Sequence, residues 1–134
     1  MGGRLILDTN TLIEMERGTL PDPRALDDDD VAIAALTVAE FRTGIELART
    51  AEQAAGRARV LAVVLDVTTV LDYTARTAAE HARLLAHVRR LGAPRGAHDL
   101  IIAAHAAEHG RAVVTRDARA RFGDLPGVGT VQIG

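Results

Sequence analysis

Residues 5–10 read LILDTN, an apolar run that ends abruptly on a carboxylate, Asp8, followed by two small polar residues, Thr9 and Asn10. The run predicts a buried strand, and TNTLIEMERG continues with helical spacing into the turn-rich LPDP segment. The order is strand, helix, loop, and it recurs. After the acidic run at 27–30, VAIAAL (31–36) reads as a second strand and TVAEFRTGIELART (37–50) as a helix whose start fits a capping box from Thr37 to Glu40. AEQAAGRARVLAVVL (51–65) predicts a third helix, broken near Gly56, before a short β-prone VTTV. A long helix follows in LDYTARTAAEHARLLAHVRRLG (71–92), closed by Gly92 and Pro94, and GAPRGAH is a connecting loop. AHDLIIAAHAAEHG (97–110) is one more helix. It leads into the strand AVVT (112–115), a helical turn in RDARARF and a last strand near TVQI.

Strands alternating with helices imply crossover connections, hence one α/β domain over residues 1–134 with a central, mostly parallel sheet between two layers of helices. No repeat, low-complexity tract or linker interrupts it. In such a sheet the strand C-termini and helix N-termini share one edge, and ligands bind there. Asp8 ends the first strand, Glu40 falls in the first turn of the second helix, Asp99 opens the helix before AVVT, and Asp117 follows that strand. Taken singly each could be an ordinary helix cap. Together they form a carboxylate cluster, and clustered carboxylates call for a compensating cation.

Composition narrows the chemistry. The 134 residues include no cysteine, serine, lysine or tryptophan. Thiol and serine nucleophiles, Schiff-base lysines, the P-loop lysine and thiolate metal sites are therefore excluded, leaving Asp, Glu, His, Thr and Arg to act. Hard oxygen ligands select Mg²⁺ or Mn²⁺, ions that also bind substrate phosphate, so the cluster points to phosphodiester hydrolysis by one ion or two. The net charge is −2, and neutralising the four site acids would make it +2. Residues 1–67 hold 12 acids and 7 arginines, whereas residues 68–134 hold 6 acids and 9 arginines. The second half is the one suited to a polyanion. Arg89, Arg90, Arg95 and Arg116, close in sequence to Asp99 and Asp117, are the candidates for contacts to the phosphates of such a polyanion. Aromatic residues are 2% of the chain, which argues against base recognition by stacking. No apolar run approaches the roughly 18 to 20 residues of a membrane span, and MGGRLILD lacks a signal-peptide layout, so a soluble cytoplasmic protein is expected.

These motifs together resemble the PIN-domain ribonucleases, and specifically their VapC-type toxins, over nearly the whole chain. LILDTNTLIE resembles the family's opening strand and assigns Asp8, with Thr9 and Asn10 beside it; TVAEFRTGI assigns Glu40; HDLIIAAHA assigns Asp99; VVTRDARARFGDLPGV assigns Asp117, with Thr115 as polar support. The resemblance implies a PIN-like three-layer fold and Mg²⁺- or Mn²⁺-dependent endonucleolytic cleavage of RNA, with tRNA or rRNA the usual target. It also implies a homodimer and a VapB-type antitoxin that masks the site. Arg119 and Arg121 follow Asp117 where some relatives carry a further acid, which leaves the number of ions open.

Other signals in the chain admit rival readings. His105, Glu108 and His109 spell HxxEH, the signature of an inverted zinc peptidase, but the 25 residues that follow contain no His or Glu to complete it. These side chains are then read as exposed polar groups at a helix C-terminus. The run at 27–30 lacks the spacing of a calcium loop and is read as a solvated loop. His98 could touch phosphate or move a proton, though a satisfied polar residue at a helix start is the simpler reading. The alternative in a different class is a regulatory module that binds RNA or protein on the same fold without turnover. An aspartate-nucleophile phosphatase is disfavoured, since Asn10 stands where its second acid would be.

Overall fold

The computed structural model describes residues 3–18, 29–115 and 122–132. In chain order they form β1 (Arg4–Leu7), α1 (Thr9–Glu16), β2 (Asp30–Ala34), α2 (Ala35–Glu46), α3 (Ala51–Val67), β3 (Thr69–Leu71), α4 (Ala75–Leu91), α5 (Ala97–His109), β4 (Ala112–Thr115), a 3₁₀ turn (Phe122–Asp124) and β5 (Gly129–Gln132). The strands make one sheet in the order β3-β2-β1-β4-β5, and every pairing is parallel. β1 is central. Its register sets Ile6 beside Ala32 and Val113, and Leu7 beside Ile33 and Val114.

Because side chains alternate across a strand, that register sorts the core into two. Ile6, Ala32 and Val113 face a cluster with Leu84 and Val88 of α4, Leu100, Ile102, Ala103, Ala104 and Ala106 of α5, and Phe122. Leu7, Ile33 and Val114 face Leu12 of α1, Phe41 of α2, and Leu61 and Val64 of α3. The result is the expected three-layer α/β architecture. A sheet covered on both sides is why LIL, VAIA and AVV carry no polar residue. No helix among the described residues is long and apolar enough to cross a membrane.

Several local expectations need correction. α2 starts at Ala35 directly from β2, with Ala34 as an N-cap that makes no side-chain hydrogen bond. Thr37 is therefore inside the helix rather than capping it, and Glu40 sits in the second turn instead of the first. Burial of Thr37 leaves its Oγ1 without a partner among the described residues. Thr37→Val should raise stability by about 1 kcal/mol in urea unfolding, because an apolar group of the same shape has no hydrogen bond to lose. A loss of stability would show that the hydroxyl is bonded.

α3 runs unbroken through Gly56. The 71–74 segment is not helical; Thr74 caps α4 with Thr77 in a reciprocal box, and Gly92, at φ 62°, closes it in the left-handed conformation glycine favours. Part of the acidic run is structural. Asp29 accepts from the Gly3 amide at 2.9 Å, and the buried Arg111 sends Nη1 to Asp30 Oδ1 (2.9 Å) and to the carbonyls of Asp30 (2.9 Å) and Leu5 (3.1 Å). That guanidinium ties the starts of β1 and β2 together, opposite the edge that carries Asp8.

Candidate functional site

Asp8 leaves the C-terminal end of β1 and is buried at 3% exposure. It is the N-cap of α1: Oδ1 accepts from the Thr11 amide at 2.8 Å and from Thr11 Oγ1 at 2.6 Å. Thr11 Oγ1 also lies 2.9 Å from the Val114 carbonyl, which fixes the cap to the end of β4. Thr11 was not singled out from sequence, although Asp-x-x-Thr is a cap signal that could have found it.

Glu40 joins three elements. Its Oε1 accepts from Thr9 Oγ1 of α1 at 2.8 Å, and its Oε2 makes a short contact with His98 Nδ1 of α5. A carboxylate only accepts, so Nδ1 is the donor when Glu40 is ionised. Thr9 adjoins Asp8 and His98 adjoins Asp99, so these contacts gather the three sequence motifs at one edge of the sheet. Asp99 is half-buried in the first turn of α5, beside Gly96, where a Cβ would stand 3.4 Å from Asp99 Oδ2. Asp8, Glu40 and Asp99 do not form a trio with ligand atoms all within 4.8 Å of one another. Asp117 and Arg116 lie outside the described residues.

Neither Asp8 nor Glu40 is paired with an arginine among the described residues. Carboxylate oxygens free of an arginine are the hard donors a divalent ion takes, which is what the chemistry of this set fits. Thr115 is buried at the end of β4, and Asn10 is exposed in the first turn of α1.

α4 and α5 are an antiparallel hairpin. Thr77 near the start of α4 donates to Glu108 at the end of α5, while Val88 and Leu100 line a shared groove at the other end. The hairpin returns Arg89 and Arg90 to the end that bears Asp99. Both are exposed in the last turn of α4. Arg95 is mostly covered, at 12% side-chain exposure, with Nη2 3.9 Å from Asp124. A second groove of about 210 Å³ leads from Thr9 and Glu40 between α1 and α2 to Arg57, which donates to the Gly44 carbonyl at 2.6 Å.

The HxxEH residues differ from expectation. His105 is 1% exposed rather than a surface group, and burial pushes its pKa below the ordinary 6.5, with His109 adding to the shift and Glu108 and Asp72 opposing it. The available signal was the helix itself. IIAAHAA is apolar all round, so a histidine within it is buried whichever way it faces.

A family model described as PIN domain matches residues 5–127. Ribonuclease VapC5 of Mycobacterium tuberculosis is 38% identical over 130 residues, covering 96% of this chain and 92% of the relative. The tRNA(fMet)-specific endonuclease VapC of Salmonella typhimurium is 32% identical over 131 residues, covering 93% of this chain and 94% of that one. Among solved structures, that of VapBC-5 from M. tuberculosis, a member of the VapBC family of toxin-antitoxin systems, superposes with a TM-score of 0.77 at 30% identity over 98% of each chain.

Proposed function

The chain belongs to the PIN-domain family, in its VapC-type branch, and on that premise we propose that it is an Mg²⁺- or Mn²⁺-dependent endoribonuclease, the toxin of a toxin-antitoxin pair. The observation that supports this most is Glu40, held between Thr9 and His98, the chain neighbours of Asp8 and Asp99. Asp8, Glu40, Asp99 and Asp117 would hold the ion. When bound, it supplies a Lewis acid for the phosphate, a lowered pKa for water and charge stabilisation for the leaving oxygen.

The chain's own groups do the positioning. Thr11 keeps one oxygen of Asp8 occupied, which leaves the other for the ion. Thr9 and His98 fix both oxygens of Glu40, and Asn10 and Thr115 orient neighbouring ligands or water. Arg89 and Arg90 would meet RNA phosphates, with Arg95 and Arg116 the candidates next in sequence to the helix of Asp99 and to Asp117. Without serine, cysteine or lysine, attack by water and no covalent enzyme intermediate is the fitting course. The substrate is RNA of the tRNA or rRNA class, the partner a VapB-type antitoxin that covers the site, and the free toxin a homodimer acting in the cytoplasm as one domain over residues 1–134.

Pooled cellular RNA should be cut at defined positions, read by 5′-end mapping, and those cuts should vanish with EDTA and in Asp99→Asn. If wild type makes no cut that Asp99→Asn lacks, with either ion, the nuclease reading fails and a binding module on the same fold takes its place.

A further inference from the structure

α5 ends on a cluster that the carboxylate site does not use. His105, Glu108 and His109 stand at i, i+3 and i+4, so their side chains share one face. Among the described residues they are the only trio of histidine and acid whose ligand atoms all lie within 4.8 Å of one another. Glu108 Oε1 is 3.3 Å from His109 Nε2 and 4.0 Å from His105 Nδ1. Two ligands on a tetrahedral ion with bonds of about 2.0–2.1 Å stand roughly 3.3 Å apart. The Glu108–His109 spacing already matches, the His105–Glu108 edge at 4.0 Å must close, and the His105–His109 edge is within 4.8 Å.

A second observation is independent of that spacing. His105 Nδ1 is buried with no hydrogen-bond partner among the described residues, and 4.0 Å to Glu108 is too long to count as one. A ring nitrogen so placed has lost water and gained nothing in return. Burial also favours the neutral imidazole, which is the form that ligates. Glu108 has in addition the outer support a ligating carboxylate needs: Thr77 Oγ1 donates to its Oε1 at 2.6 Å, and the Thr74 amide donates to Thr77 Oγ1 at 3.1 Å.

We infer that His105, Glu108 and His109 form a second metal site, which takes a borderline transition ion of the Zn²⁺ class through two imidazoles and one carboxylate. Imidazole selects such an ion over Mg²⁺, and solvent can complete the sphere beside His109, whose side chain is 34% exposed. The site is distinct from the carboxylates: His109 lies ten residues beyond Asp99, about 15 Å along the helix. Its role is to clamp the end of α5 to the start of α4 through Glu108 and Thr77. That role is structural, and it holds whether or not the chain cleaves RNA.

The test is equilibrium dialysis of the untagged, chelator-treated full chain against Zn²⁺ at neutral pH, with the bound metal counted. The Asp8→Asn/Asp99→Asn double variant, which lacks the carboxylate site, should still bind one equivalent, and adding His109→Ala to it should weaken that binding about tenfold or more. Zn²⁺ should raise the melting temperature of the double variant and not of the same variant carrying His109→Ala. Because His109 is partly exposed, the two should melt close together when metal-free, which separates lost ligation from lost folding. Binding that disappears with Asp8 and Asp99, equal binding by the double variant with and without His109→Ala, or no binding at all would each overturn the site.

Discussion

Asp8→Asn is expected to slow RNA cleavage by about 10³-fold, some 4 kcal/mol of transition-state stabilisation, while the melting temperature stays within a few degrees of wild type. The two effects separate because Asp8 has two roles that use different oxygens. As N-cap, Oδ1 receives the amide and hydroxyl of Thr11. Asparagine caps about as well as aspartate and keeps that oxygen, so α1 should remain anchored. What it removes is the negative charge and the second oxygen, the part assigned to the ion. Asp8→Ala removes both roles: cleavage falls as far, and loss of the cap costs about 1 kcal/mol, or about 4 °C at this size. End-labelled RNA cleavage and thermal circular dichroism read the two quantities on the same samples. Wild-type cleavage by Asp8→Asn would reduce Asp8 to a cap and remove it from the site.

The reach of the sequence follows from which interactions are local. β1, β2 and β4 were legible because strands covered on both faces leave an uninterrupted apolar signature, and the parallel sheet followed from their alternation with helices. β3 was only hinted at by VTTV, since an edge strand of three residues, with Thr69 and Val70 exposed, has little burial to record. The false capping box at Thr37 has a physical cause. The pattern was present, but β2 runs straight into α2, and the packing of both against the core sets the helix start without a side-chain cap. At the site, the positions of Asp8, Glu40 and Asp99 on one edge were accessible from topology. The contacts that organise them were not: Thr9 and His98 reach Glu40 across 31 and 58 residues of chain, distances over which no periodicity carries information.

Phe122→Ala should cost about 3–5 kcal/mol, on the order of 15 °C in melting temperature. The chain has two phenylalanines and no tryptophan, so few side chains can fill a large volume. Phe122 is 1% exposed in the cluster shared by α4, α5 and the sheet, where Ala32, Ala103, Ala104 and Ala106 are its fellow members. Alanines there let α5 approach the sheet closely but cannot expand into a void, so truncating the ring leaves a cavity that the neighbours close only in part. Leu125 and Val128 are the other buried side chains of this segment, too small to compensate. Phe122→Leu, which keeps most of the volume, should lose less than half as much. Urea unfolding followed by circular dichroism reads both, and a loss below about 1 kcal/mol for Phe122→Ala would mean that the core relaxes into the space. The consequence reaches the proposed chemistry, because Asp117 lies five residues upstream. Among the described residues Phe122 is the nearest buried anchor that follows it, so cleavage by Phe122→Ala should fall more than the folded fraction does, whereas Phe122→Leu should keep the two in step.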